Sequence, residues 1–114
     1  MQPNEQPVEV SWSDDVAIVS LNRPEALNAI DARLAEATSR DIARLGAESS
    51  AIVLCGKGRA FSAGGDLRWF HENANGGPDA LARRPARFLR DKGAALVRAI
   101  HDSSDPVVCA INGA

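Results

Sequence analysis

Ala51-Ile52-Val53-Leu54-Cys55-Gly56-Lys57-Gly58-Arg59-Ala60-Phe61-Ser62-Ala63-Gly64-Gly65-Asp66-Leu67 is the stretch that decides how this chain folds. Its opening residues, Ala51 to Cys55, form an unbroken apolar run of strand length, the pattern of a strand covered on both faces. Gly56-Lys57-Gly58-Arg59 ends the strand, and from Asp66 a helix runs through Leu67, Trp69 and Phe70. A tight turn between them points backbone N–H groups toward the helix N-terminus, where they can bind an anion or a developing oxyanion. Gly64 and Gly65 fit there because glycine accepts positive φ and lets a ligand approach the main chain, while Asp66 fits as a cap. Read alone, Ala-Gly-Gly-Asp is a weak signal, more often an ordinary strand-to-helix turn, and it lacks the Gly-Lys-Ser/Thr ending of a phosphate-binding loop.

On the N-terminal side, Val8 to Trp12 alternates weakly, Ser13-Asp14-Asp15 is turn chemistry, and Val16 to Leu21 is a β-branched run stopped by Asn22-Arg23-Pro24. That sequence predicts a β-hairpin. Asp31 is the expected N-cap of a helix whose Leu34, Thr38, Ile42 and Leu45 share one face, with Gly46 as its stop.

On the C-terminal side, Asn73 to Asp79 reads as a Gly/Asn/Pro loop, and a helix is expected over about Pro85 to His101. Leu89, Gly93, Leu96, Val97 and Ile100 carry its helical spacing, and Pro85 suits its first turn. Asp102-Ser103-Ser104-Asp105 breaks that helix before a third β-branched run from Pro106 to Asn112. The order strand, strand, helix, strand, helix, strand predicts one mixed α/β unit. The unit is expected to be incomplete, because its last strand reaches Ala114 without the helix that would ordinarily follow.

At 114 residues and 45% apolar content, the chain has the makings of one globular domain. Thirteen basic against fifteen acidic side chains give a net charge of -2, so no basic surplus draws a nucleic-acid backbone. Met1 to Glu9 shows no signal-peptide pattern and no apolar run is long enough to span a bilayer, so the expectation is a cytoplasmic chain with neither membrane nor nucleic-acid partner. Cys55 and Cys109 each sit in a β-like apolar run and read as small buried hydrophobes, not as a disulfide or metal site.

Three segments in order carry a family resemblance. Val16-Ala17-Ile18-Val19-Ser20-Leu21-Asn22-Arg23-Pro24-Glu25-Ala26-Leu27-Asn28-Ala29 resembles a first strand with its Asn-Arg-Pro-x-x-x-Asn-Ala loop. Ala51 to Leu67 resembles a strand with an Ala-Gly-x-Asp-Leu turn. Pro106-Val107-Val108-Cys109-Ala110-Ile111-Asn112-Gly113-Ala114 resembles a strand entering a second glycine-rich turn. Together they resemble the N-terminal portion of the enoyl-CoA hydratase/isomerase (crotonase) family, over about Val8 to Ala114.

The resemblance implies a crotonase-like ββα spiral, here its N-terminal part only, with residues 1–114 belonging to a single domain. It also implies an acyl-CoA thioester substrate whose carbonyl sits in an oxyanion hole of two backbone N–H groups, with no separate cofactor, coenzyme A being part of the substrate, and no metal. The first N–H matches Gly65, worth about 3–4 kcal/mol to the developing oxyanion. The substrate- and CoA-binding set matches Ala26, Leu27, Ala63, Gly64 and Asp66: Ala63 for main-chain contact with the adenine end, Ala26 and Leu27 along the pantetheine and nucleotide path.

Relatives of this family are longer, assemble as trimers or hexamers, and draw their second oxyanion N–H and their acid/base carboxylates from positions beyond Ala114. The isolated chain is therefore expected to be inactive or nearly so. The alternative is a non-catalytic remnant that binds CoA or joins a relative's oligomer. Within the chain, Glu72, His71 and His101 are the in-chain acid/base candidates, although His101 also reads as a helix C-terminal residue. Arg83, Arg84, Arg87, Arg90, Lys92 and Arg98, with Lys57 and Arg59, can meet CoA phosphates or form exposed faces.

Overall fold

The hairpin forms where alternation and turn chemistry predict it. In the computed structural model, which describes residues 6–72 and 87–113, β1 (Val8–Ser13) pairs antiparallel with β2 (Val16–Leu21), from Val8 opposite Leu21 to Ser13 opposite Val16. Asp14 turns the corner at φ 52°, a left-handed conformation that Asp tolerates better than most residues. Ala17, Val19 and Leu21 of β2 are buried while their neighbours are half-exposed, so the period of two sorts the strand into an inner and an outer face.

Helix α1 (Ala32–Leu45) begins at Asp31, whose carboxylate accepts from the Leu34 amide at 2.8 Å. Its expected stripe of Leu34, Thr38, Ile42 and Leu45 is buried, and the Thr38 hydroxyl satisfies itself by donating to the Leu34 carbonyl at 2.7 Å. Gly46 does end α1, but in a right-handed conformation with its amide still bonded to Ile42, so no left-handed cap is used.

β3 (Ala51–Gly56) lies parallel to β2 and to β4 (Val107–Cys109), giving the sheet order β1-β2-β3-β4. The core gathers the inner face of this sheet, including Val19, Ile52 and Leu54, under α1, with Leu96, Ala99 and Ile100 of α3 (Ala94–Asp102) packed against the same cluster. Both helices thus cover one side. The expectation that β3 is covered on both faces is corrected accordingly: Ile52 and Leu54 are buried, Ala51, Val53 and Cys55 only half-buried.

The short helix α2 (Leu67–Glu72) follows the glycine turn as expected. The longer C-terminal helix is not regular, since Leu89–Gly93 is wound as a π-turn before α3 takes over. The loop read at Asn73 to Asp79, together with Arg83, Arg84, Pro85 and Ala114, lies outside the described residues. The strand expected from Pro106 to Asn112 is shortened to Val107–Cys109, because Asn112 turns away to donate to the Gly58 carbonyl at 2.9 Å. As the edge strand, β4 leaves Cys109 exposed, which overturns its reading as a buried hydrophobe; Cys55 is half-buried with its thiol 3.3 Å from the Ser20 hydroxyl. Among the described residues no helix is long and apolar enough to cross a membrane.

Candidate functional site

The loop after β2 is shaped by its own sequence. Pro24 starts a 3-10 turn, Pro24–Ala26, and Leu27 and Asn28 follow at φ 52° and 54°, two consecutive left-handed residues. Such backbone is costly for Leu and persists only where the surroundings hold it. Here the hold is explicit: the amides of Leu27, Asn28 and Ala29 bond to Pro24, Arg23 and Ala26. The fully buried Asn28 side chain accepts from the Arg23 amide at 2.8 Å and donates to the carbonyls of Lys57 and Ala60 at 3.0 and 2.9 Å. One amide group thereby joins the loop after β2 to the loop after β3.

A second tie completes that junction. The Leu27 carbonyl accepts from the Ala63 amide at 2.9 Å, and the Asn28 carbonyl accepts from the Ser62 hydroxyl at 2.8 Å. Ala63 therefore offers only its carbonyl as a main-chain contact for a ligand, and the Ala26 carbonyl is engaged by Ala29. Ala63, Gly64 and Gly65 are exposed, while Ala26 and Leu27 are half-exposed beside them.

Ile30 fixes the glycine turn. Its amide donates to the Gly64 carbonyl at 2.7 Å, and its carbonyl accepts from the Asp66 amide at 3.0 Å, forming an isolated parallel bridge with Gly65. In such a bridge the central residue turns its own N–H and C=O to the opposite side. Among the described residues the Gly65 amide has no acceptor. Gly64 supplies the left-handed corner at φ 90°. The N–H of Gly65 stands one residue before the cap Asp66, so it is not a first-turn group of α2, as the simple strand-to-helix picture has it.

Asp66 is where Arg23 becomes legible. The Asp66 carboxylate, on a residue only 8% exposed, accepts from the Trp69 amide at 3.0 Å and faces Arg23 Nη1 at 3.0 Å. Arg23 Nη1 also lies 3.4 Å from Asp31 and donates to the Ala29 carbonyl. Burial works to raise the Asp66 carboxyl, but the Trp69 N–H, the Arg23 guanidinium and the Arg68 N–H together hold it below its ordinary value. With these partners Asp66 holds the turn in place.

Gly65 opens onto a cavity of about 800 Å³ between α2 and α3, whose wall includes Ile30, Phe70, Phe88, Leu96 and Val97, with Arg98 and His101 the only charged or titratable residues among the described ones. A Cβ on Gly65 would meet Phe70 Cε2 at 3.2 Å, so the ring lies directly beside the amide. Of the acid/base candidates, His101 lines the cavity, with Nδ1 3.0 Å from Asp102 in the last turn of α3; His71 and Glu72 are exposed at the end of α2. Among the basic candidates, Lys57 is paired with Glu9, Lys92 with Glu36 and Arg90 with Asp91. Among the described residues no cluster of His, Cys, Asp or Glu is arranged to hold a metal.

The third segment reaches the same place. Gly113, at φ 75°, sits so close to the loop after β3 that a Cβ would fall 2.4 Å from the Arg59 carbonyl. Sequence reading missed the parts played by Arg23, Asn28, Phe70 and Phe88. The nearest signal was the Asn-Arg-Pro-x-x-x-Asn spacing itself, which places Arg23 and Asn28 at the two ends of one tight loop.

Comparison with known proteins bears directly on these three segments. The family model described as enoyl-CoA hydratase/isomerase matches residues 16–114. A probable enoyl-CoA hydratase of Rhodobacter capsulatus is 35% identical over 102 residues, covering 90% of this chain and 37% of that protein. An enoyl-CoA hydratase/isomerase structure from Mycobacterium paratuberculosis superposes with a TM-score of 0.76 at 32% identity, over 98% of this chain and 43% of the other. A putative enoyl-CoA hydratase/isomerase from Mycobacterium abscessus gives 0.80 at 29% identity, over 93% and 40%. The chain thus spans about two fifths of the length of these relatives, and its hairpin, parallel strands and helices follow the crotonase fold. On the matched model and the shared fold, this chain belongs to the enoyl-CoA hydratase/isomerase family.

Proposed function

We propose that the chain forms the thioester-binding part of an acyl-CoA-processing enzyme of the hydratase/isomerase type, with the Gly65 N–H as one donor of an oxyanion hole. The observation that carries this reading is the unpartnered Gly65 amide in the wall of an apolar cavity. A carbonyl placed there gains a fixed dipole in surroundings with few competing polar groups, and such a donor stabilises an enolate-like oxyanion more than the ground-state thioester. CoA enters as part of the substrate, along Ala26 and Leu27, with the Ala63 carbonyl toward its adenine end. Proton transfer at the α- or β-carbon falls to groups beyond this chain, as does the second donor, and assembly into trimers or hexamers belongs with the longer relatives.

Titration of the chain with crotonyl-CoA by calorimetry, beside an assay of enoyl absorbance, tests this. Gly65→Pro removes the N–H, whereas Gly65→Ala keeps it and meets the same Phe70 ring. The expected result is saturable binding that the proline variant weakens about tenfold relative to the alanine variant. Equal binding by the two folded variants would sink the role of Gly65. Binding without turnover, even with the remainder of a relative added in trans, supports a CoA-binding remnant.

A further inference from the structure

The cavity beside Gly65 has a composition that discriminates among acyl groups. Phe70 and Phe88 are 5% and 7% exposed, and their rings meet edge-on at 5.2 Å, each also against Trp69 at 5.5 and 5.8 Å. Phe70 and Phe88, braced by Trp69 behind them, form a preset apolar wall on the cavity, with Phe70 next to the amide. Val97 on α3 faces the same space and is 66% exposed, a β-branched side chain left uncovered where a ligand would pack. Among the described residues of the wall, Arg98 and His101 are the only polar side chains, and both belong to α3. Among the described lining residues no carboxylate or amide side chain stands ready for a polar acyl substituent, whose desolvation would go uncompensated.

Gly93 and Ala94 line the cavity at the junction where the π-turn gives way to α3. The extra residue of a π-turn displaces the helix face, a distortion often found at binding sites. Here that face presents Gly93 and Ala94, small residues that leave depth where a larger side chain would close it.

We infer that this cavity selects thioesters with an extended apolar acyl group, medium-chain or aryl, over short or polar ones, and that Ala94 and Val97 determine that preference. The inference rests on the reading of Gly65 as a thioester donor. Each methylene withdrawn from water is worth about a fourfold gain in affinity, so four more buried methylenes give on the order of 100-fold.

The test uses unreactive ligands: CoA, butyryl-CoA, octanoyl-CoA and 3-phenylpropanoyl-CoA, titrated into the 114-residue chain. Octanoyl-CoA or phenylpropanoyl-CoA is expected to bind at least about 30-fold tighter than butyryl-CoA, and the ratio between the two states whether the aliphatic or aryl group is the better occupant. Ala94→Leu should abolish the gain of octanoyl-CoA over butyryl-CoA. Val97→Ser, at an exposed position that folding tolerates, should reduce it several-fold. Equal affinities across the three thioesters, or variants that weaken all ligands alike, overturn the inference and leave the role of Gly65 standing. Absence of binding by every CoA compound overturns both.

Discussion

Arg23 Nη1 and Asp66 Oδ2 stand 3.0 Å apart, joining the loop after β2 to the turn after β3 across 43 residues of sequence. Both side chains are largely withdrawn from solvent, at 16% and 11% exposure, so the pair is screened less than a surface ion pair. Arg23→Met leaves two carboxylates, Asp31 and Asp66, without their shared cation. The expected loss is about 2–4 kcal/mol in urea unfolding, with Arg23→Met/Asp66→Asn recovering part of it. Strict additivity of the two single changes would show that the pair contributes nothing of its own.

Acid should unfold the chain partly through Asp66. Its carboxyl is held below the reference value of 3.8 in the folded state, so the folded form binds that proton less readily than the unfolded form. The resulting stability is fully present above the unfolded value and is lost as pH falls from about 4 through the folded one. Asp66→Asn is expected to be less stable at neutral pH and to show a flatter decline below about pH 4. An unchanged slope in stability measured between pH 5 and 2 would contradict this assignment.

Asn28 binds three separate backbone segments through one buried amide. Asn28→Ala orphans the Arg23 amide and the Lys57 and Ala60 carbonyls, and it places alanine at φ 54°. A loss of about 3 kcal/mol is expected. Asn28→Gly relieves the backbone but not the missing bonds, so thermal unfolding of the two variants separates the contributions.

Two glycines should fail for different reasons. At Gly56 an added Cβ would fall 2.4 Å from the Phe61 carbonyl oxygen and 2.7 Å from that of Ala60, so Gly56→Ala must displace backbone and should cost several kcal/mol. At Gly64 the space is open, and only φ 90° resists a side chain. Gly64→Ala should cost about 1–2 kcal/mol, and Gly64→Asn less. Calorimetric unfolding of these variants ranks the two effects.

The elements with local causes were legible in the sequence. The hairpin at Asp14-Asp15, the Asp31 cap and the stripe of Leu34, Thr38, Ile42 and Leu45 each depend on residues within a few positions of one another. What escaped was set by distant partners. Nothing near Arg23 announces Asp66, and nothing near Asn28 announces Lys57 and Ala60, because those contacts exist only once β2 and β3 lie side by side. The π-turn likewise depends on how the helix meets its neighbours, and the exposure of Cys109 follows from the edge position of β4, which composition does not encode. Gly65 was legible as a candidate by position; the direction of its amide depends on the bridge to Ile30.

That bridge also sorts neighbouring amides by how readily they trade hydrogen for deuterium. The N–H groups of Ile30 and Asp66 are closed by it and exchange only when the segment opens, whereas Gly65 between them is left to solvent. A slow, fast, slow pattern at these three residues is the isotopic signature of a turn held rigid on one side and open on the other. Slowing confined to the middle signal would make Gly65 its own reporter of an occupant.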